Sequence, residues 1–471
     1  MTLKKGQILE LFIEKMAFGG PGMGFVDGFV VFVPASAPGD KVRVKVYKKK
    51  RDYGEARILE ILEPSVARVP ASCPYYPYCG GCQWQHIGYR YQLKYKMQQV
   101  REAMERIGGM GRVQINEIIP SDEITGYRNK MEFSFSSRRW ALPSEMPIDE
   151  KGRGFALGLH VPGTYDKVID IASCLLQQEQ GNVLLRLIRH ETEQSGLPPY
   201  NIKIHQGFWR YLTIRHSRAF DQWMVNMVTW AEHGPVMNAL AQKLTATLPN
   251  VTSVINNVSK KKAGVAVGDY EKIIQGQATI QERIGPYLFQ ISANSFFQTN
   301  TAGAERLYGV VAKYAQLSGK ETVLDLYSGT GTIPIYLSSK AGQVIGIEIS
   351  EAAVEDAIRN RELNHVDNVT FVQGDIRDQL PLLRQKPDLL IIDPPRTGMH
   401  KDVVKQVLGL APNSIIYVSC NPTTLARDIA LLQDRYELIE LQPVDLFPHT
   451  YHVETVALLA KRVKVGSAPK K

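Results

Sequence analysis

From Thr322 onward the chain alternates short apolar runs with helical stretches. The runs are Thr322–Leu326, Gln343–Glu348, Val369–Val372, Leu389–Asp393 and Ser414–Ser419. Runs this apolar, without strict polar alternation, are strands covered on both faces. Strand and helix in turn specify a doubly wound, mostly parallel α/β sheet. Such sheets bind ligands beyond the carboxyl ends of their strands. The residues that close each run are therefore the place to look for chemistry.

The first run ends in Asp325-Leu326-Tyr327-Ser328-Gly329-Thr330-Gly331. Gly329 and Gly331 allow backbone to approach a ligand at a helix start. Glu348 closes the second run, seventeen residues beyond Gly331, where a carboxylate can accept ribose hydroxyls. Asp375 follows the third run and suits the adenine side. No dinucleotide-type G-x-G-x-x-G is present, so S-adenosylmethionine is expected rather than NAD. Asp393-Pro394-Pro395-Arg396 closes the fourth run, its prolines fixing φ in the loop. Ser419-Cys420-Asn421-Pro422 closes the fifth and puts a lone cysteine at the same sheet edge. A thiolate there is positioned as a nucleophile, as methylation of uracil carbon 5 requires. Carbon 5 is too weakly nucleophilic until a thiolate adds to carbon 6, and a base must later remove its proton. Glu454, before the last strand, is the candidate base.

Upstream, residues 1–64 read as short strands broken by glycines, the pattern of a small OB-like barrel. Lys41 to Arg51 holds seven bases and no acid. It is either a solvated edge strand or an RNA contact, and Lys41, Arg43, Lys45, Lys48 and Arg51, beside Tyr47 and Tyr53, favour RNA. Residues 65–290 read as a mixed central domain, and 291–463 as the catalytic α/β domain. A basic tail spans 464–471. Within the central region Leu93, Met97, Val100, Met104 and Ile107 space a helix over 89–107 with its core stripe. The net charge of +9 points to a polyanionic partner.

No secretory signal is expected at the start, where Gly19–Gly28 interrupts any apolar stretch. No run approaches the roughly 20 apolar residues of a membrane span. A cytoplasmic monomer is expected. The five cysteines then read as ligands or nucleophiles rather than disulfides. Cys73, Cys79, Cys82 and the distant Cys174 suit either a [4Fe–4S] cluster or, with His86 in a Cys3His set, zinc.

Taken together, the glycine loop, Asp393-Pro394-Pro395-Arg396, Ser419-Cys420-Asn421-Pro422 and the cysteine spacing resemble the RNA (uracil-5-)-methyltransferases. More specifically, they resemble the bacterial 23S rRNA branch with an iron–sulfur cluster. The resemblance implies a TRAM barrel, a central mixed α+β domain with an iron–sulfur loop, and a C-terminal Rossmann-like methyltransferase domain. It implies that the helix near 89–110 packs with that last domain. Phe296-Phe297-Gln298-Thr299-Asn300 matches the family's cofactor segment, so Gln298, Tyr327, Glu348 and Asp393 are expected to bind S-adenosylmethionine. Cys420 matches the nucleophile and Glu454 the base. Tyr127-Arg128-Asn129-Lys130 matches a segment near RNA, which adds Arg128 and Lys130 to the expected contacts. The cysteine set is implied to hold [4Fe–4S], in a structural or RNA-docking rather than a radical role. Ser328 and Thr332 stand where many members have Cys and Asn. 23S rRNA is the expected partner, and tRNA is disfavoured because tRNA-directed relatives commonly lack both barrel and cluster. The alternatives are cytosine-5 methylation and an RNA-folding factor for which methylation is secondary.

Overall fold

The computed structural model describes residues 3–111, 113–147, 154–262, 264 and 266–462. The predicted basic tail, 464–471, lies outside the described residues.

Six strands form the N-terminal unit: β1 (Ile8–Phe12), β2 (Lys15–Met16), β3 (Gly22–Val26), β4 (Phe29–Val33), β5 (Lys41–Lys49) and β6 (Tyr53–Glu63). Their order is β1-β5-β6-β4-β3-β2. Val42, Val44 and Val46 alternate inward onto Leu11, Ile13, Val31 and Val33, the period-2 pattern of a half-buried strand. The sheet curls until β3 meets β1. A Cβ on Gly24 would lie 2.3 Å from the Phe12 carbonyl, so only glycine permits the approach.

The basic strand β5 is not an edge. It lies between β1 and β6, and the edge-strand reading fails because pairing on both sides uses its backbone. Lys41 faces Glu63, Arg43 faces Glu60 and Glu10, and Lys48 faces Glu55. Much of the charge expected to meet RNA is thus matched within the sheet.

Helix α1 (Tyr89–Arg106) follows. The central unit is a seven-stranded sheet with α2 (Glu179–Gln194) and α3 (Gly234–Thr247) on one face. Its strands are β7 (Lys130–Ser136), β8 (Ala156–His160), β9 (Val168–Asp170), β10 (Trp209–Ser217), β11 (Gln222–Thr229), β12 (Val251–Val258) and β13 (Tyr270–Gly276). Their order is β13-β12-β11-β10-β7-β8-β9. Met131, Phe133 and Phe135 enter the core under the helices. Lys130, Glu132, Ser134 and Ser136 therefore alternate to the other, polar face.

The hairpin β14 (Thr279–Ile284) and β15 (Tyr287–Ser292), expected in the central domain, instead buries Ile280, Ile284, Phe289 and Ile291 in the C-terminal core. That C-terminal unit begins with α4 (Thr301–Ala315) and β16 (Thr322–Leu326). It continues through α5 (Thr332–Leu337), β17 (Gln343–Glu348), α6 (Glu351–Leu363), β18 (Val369–Gln373), α7 (Ile376–Gln379) and β19 (Leu389–Ile392). It ends with α8 (Lys401–Leu410), β20 (Ser414–Ser419), α9 (Pro422–Leu432), β21 (Tyr436–Val444) and β22 (Glu454–Lys461). The order is β18-β17-β16-β19-β20-β22-β21, parallel except for β22, which pairs antiparallel with both β20 and β21. Apolar cores cover both faces, as the uninterrupted apolar runs require.

Helix α1 joins this unit by packing Val100, Ala103 and Met104 into its core. The expected stripe is only partly right, since Ile107 is exposed and the buried face also carries Gln92, Lys96 and Gln99. Those polar side chains are buried because they have partners. Lys96 Nζ donates to Asp445 Oδ1 at 2.6 Å and to the Phe447 carbonyl at 3.0 Å, with Lys96 and Asp445 both at 0% exposure. Removing one partner of such a pair would strand a buried charge, at a cost of about 3–5 kcal/mol.

Candidate active site

A cavity of about 980 Å³ opens at the carboxyl ends of β16, β17, β19 and β20. Gln298, Tyr327, Gly329, Glu348, Asp393, Cys420 and Glu454 all line it. Phe296, Asp325 and Arg396, which belong to the same motifs, line it too. So does His452, together with Arg128 and Tyr308, which sequence reasoning did not assign to this site and only the fold brings there.

Tyr327 and Gly329 take positive φ, 66° and 53°, a conformation non-glycine residues rarely adopt. This turn presents the Gly329 N–H to Glu348 Oε2 at 3.1 Å, while Ser350 N–H donates to Glu348 Oε1 at 2.9 Å. Glu348 is thereby fixed at the rim. Two proposed contacts lie elsewhere. Gly331 (φ 78°) does not line the cavity. A Cβ there would sit 2.5 Å from the Phe371 ring, so its glycine serves the loop–helix packing. Asp375 is also outside the lining. It caps α7 and is held by Arg377, which keeps its carboxyl low, at about 2.

Cys420 and Glu454 approach because β20 and β22 are antiparallel neighbours. Ser419 pairs with Thr455, so one step further Cys420 faces Glu454. Asn421 caps α9, its side chain accepting from Thr423 N–H at 3.0 Å and donating to the Arg396 carbonyl at 3.1 Å. Pro422 occupies the first helical turn, where its missing N–H costs nothing. The Asn-Pro pair thus ties the cysteine turn to the Pro-Pro-Arg loop.

The acids are buried and perturbed. Burial pushes Asp393 up to about 7. Burial, then the Asp393 charge, pushes Glu454 up to about 8. Asp325 is raised by burial and by Asp393 and Glu348, and one of its oxygens has no hydrogen-bond partner. Burial and Glu454 push the Cys420 thiol up to about 11, against a lowering contribution from Arg396. His452 is driven down to about 3 by burial and nearby cations. The segment before Glu454 is held by residues far upstream in the sequence. Gln92 brackets His449, accepting its N–H at 2.7 Å and donating to its Nδ1 at 3.2 Å, so His449 turns away from the cavity. Gln83 and Trp84 N–H groups donate to the His449 carbonyl at 3.0 and 2.9 Å.

Cys73, Cys79, Cys82 and Cys174 line a second cavity of about 240 Å³, with Arg128 and Thr299 common to both cavities. Burial raises all four thiols. His86 does not join them. Its Nδ1 meets Tyr76 Oη at 2.5 Å and its Nε2 meets the Ser36 carbonyl at 3.1 Å. Among the described residues no trio of His, Cys, Asp or Glu is placed to hold a metal ion. The Cys3His zinc reading is therefore not supported, because both nitrogens of its histidine are occupied.

A tRNA (uracil-5-)-methyltransferase family model matches residues 222–462, and a TRAM domain model matches 3–59. The chain belongs to the tRNA (uracil-5-)-methyltransferase family. It is 42% identical to an uncharacterized RNA methyltransferase of Chlorobaculum tepidum, over 96% of each chain. It is 36% identical to one of Halalkalibacterium halodurans, over 97% of this chain and 98% of that one. Among solved structures, a Pyrococcus abyssi tRNA (uracil-54, C5)-methyltransferase in complex with S-adenosyl-L-homocysteine matches with a TM-score of 0.75 and 31% identity, covering 96% of this chain and 100% of that one. The methyltransferase is thus S-adenosylmethionine-dependent and acts on RNA. That tRNA-directed enzyme aligns with nearly the whole of this chain. No helix of the described residues is long and apolar enough to cross a membrane.

Proposed function

We propose that the methyltransferase methylates carbon 5 of a uridine in 23S rRNA, through a covalent bond between Cys420 and carbon 6. The observation that carries this reading is the juxtaposition of Cys420 and Glu454 at adjoining strand ends, inside the cavity that Glu348 and Asp393 line. Exposed Phe296 (68%) and Ile349 (62%) offer apolar surface to a purine ring, and Glu348 offers a carboxylate to ribose hydroxyls. Bound S-adenosylmethionine supplies an electrophilic methyl group. Cys420 forms the S–C6 bond, which leaves carbon 5 enolate-like and able to take that methyl. Glu454 then removes the carbon-5 proton, and the returning electron pair breaks the S–C6 bond. Gln298, Tyr327 and Gly329 hold the cofactor beside Asp393. Mapping 5-methyluridine in rRNA and tRNA from cells with and without the protein tests the assignment. Loss from 23S rRNA is expected. Loss from tRNA alone would transfer the activity to the second reading, favoured by the tRNA-directed Pyrococcus structure, and loss from neither would overturn both.

The buried acids predict a pH-dependent response to the cofactor. Asp393 and Glu454, at about 7 and 8, lie above the usual carboxyl range. Their protonation stabilises the fold fully below about pH 4, and that contribution is lost as pH rises through 7 to 8. The melting temperature without cofactor should fall between pH 5.5 and 8.5. The sulfonium charge favours the ionised acids, so the S-adenosylmethionine-induced rise should be larger at pH 8.5. Melting curves with an equal or smaller rise there would remove these acids from the cofactor site.

We propose that the four cysteines hold a [4Fe–4S] cluster: their thiols line one cavity with no histidine among them, while among the described residues no trio stands at metal-holding distance. A bound cluster would hold them as thiolates and fix the loop whose next residues, Gln83 and Trp84, support the Glu454 segment. Anaerobically purified protein should be brown with about four irons. Cys174→Ser should lose iron and His86→Gln should keep it. Stoichiometric zinc without iron would contradict the assignment.

A further inference from the structure

The polar face of β7 leads away from the catalytic cavity to a third one. Arg128, just before the strand, lines both the catalytic and the cysteine cavities. Glu132, further along, lines both the cysteine cavity and a groove of about 970 Å³. Lys130 to Ser136 covers about 20 Å at the ordinary strand rise. The groove is rimmed by Arg138, Lys167, Lys203 and Lys262, with Trp140 and Tyr165 among its walls. Tyr165 is 69% exposed. His160 sits on its floor, Nε2 bonded to Ser134 Oγ at 2.8 Å and Nδ1 buried without a partner.

On the barrel Lys41, Arg43 and Lys48 are matched to glutamates across the sheet, while Lys45, Lys49 and Lys50 form no ion pair among the described residues. In the groove Lys203 pairs with Asp166, but Arg138, Lys167 and Lys262 form no ion pair among the described residues. Cations without an ion pair beside an exposed ring, Tyr165, and a half-buried one, Trp140, are the combination that binds single-stranded nucleic acid. The cations take phosphates, and the rings take bases on their faces. Nothing in the proposed catalytic cycle uses this groove.

We propose that this groove is a second RNA site, which holds an unpaired segment of the substrate RNA that continues from the target uridine along β7. Phosphates lie against Arg138, Lys167 and Lys262, and a base stacks on Tyr165 or Trp140. This rests on the reading of the protein as an RNA methyltransferase. It adds an RNA anchor on the central sheet to the one expected on the barrel.

The test is Arg138→Glu/Lys167→Glu and, separately, Tyr165→Ala, in the full-length protein. None of the three side chains is in the core or in the catalytic cavity. Fluorescence anisotropy with 23S rRNA fragments should show the double variant binding at least about tenfold more weakly, with a shallower salt dependence. Tyr165→Ala should lose about tenfold. S-Adenosylmethionine affinity by calorimetry should not change, and Lys41→Gln on the barrel should cost less than either. Ultraviolet crosslinking of wild type should label peptides within 160–167. Unchanged RNA affinity in both groove variants, or crosslinks confined to the barrel, would overturn the proposal. A wild-type protein that binds and methylates no RNA would instead defeat the functional reading beneath it.

Discussion

Cys420→Ala should abolish methyl transfer and leave no covalent complex with RNA that contains 5-fluorouridine. Fluorine on carbon 5 cannot leave as a proton, so wild type should be trapped with the S–C6 bond intact. The trapped species should survive denaturing electrophoresis. The expected loss of turnover is about 10⁴-fold or more, the scale seen when an enzyme loses its nucleophile. The structure gives this cysteine a demanding position. Burial and the Glu454 and Asp393 charges favour the neutral thiol, while Arg396 and the α9 N-terminus favour the thiolate. Adduct formation should therefore speed up as pH rises toward 9. S-Adenosylmethionine affinity in the variant should stay within a fewfold of wild type, which separates lost chemistry from lost folding. Equal trapping by Cys420→Ala would mean that another group attacks carbon 6.

How far the sequence foretold this site depends on whether the signal was local. The five parallel strands were legible because strands covered on both faces need apolar residues at nearly every position, and Leu389–Ile392 or Ser414–Ser419 have few other readings. The motif residues were legible because they follow those strands directly. What failed was non-local. The bases of β5 stand out in sequence, but the glutamates that neutralise them come from β1 and β6, up to 33 residues away. The buried face of α1 was misjudged because Lys96 and Gln92 count as polar until their partners, about 350 residues downstream, are placed beside them. Strand β13 (Tyr270–Gly276) is an exposed edge without clean alternation and carried no usable pattern. The cysteine spacing left zinc and iron–sulfur open, and only the occupied nitrogens of His86 weigh against zinc.

Glu454→Gln should separate the two halves of the reaction. Glutamine has the shape of glutamate but cannot take the carbon-5 proton, so addition and methyl transfer should proceed while elimination stalls. With S-adenosylmethionine labelled in the methyl group, label should accumulate in a protein–RNA complex that wild type does not build up. Turnover should fall about 10²- to 10⁴-fold, the range for a general base. The buried glutamate, at about 8, lies close to the pH at which it must work. The neighbouring histidines are worse placed. His449 is bracketed by Gln92 outside the cavity, and His452, driven down to about 3, is a far weaker base. A second signature follows from charge. Glu454 raises the Cys420 thiol, so its neutral replacement should let the adduct form at lower pH than in wild type. Normal turnover would assign the proton to another group, with His452→Gln the next variant to measure. A complex without label would mean that Glu454 acts before methyl transfer, since the stall would then precede the carbon-5 methyl.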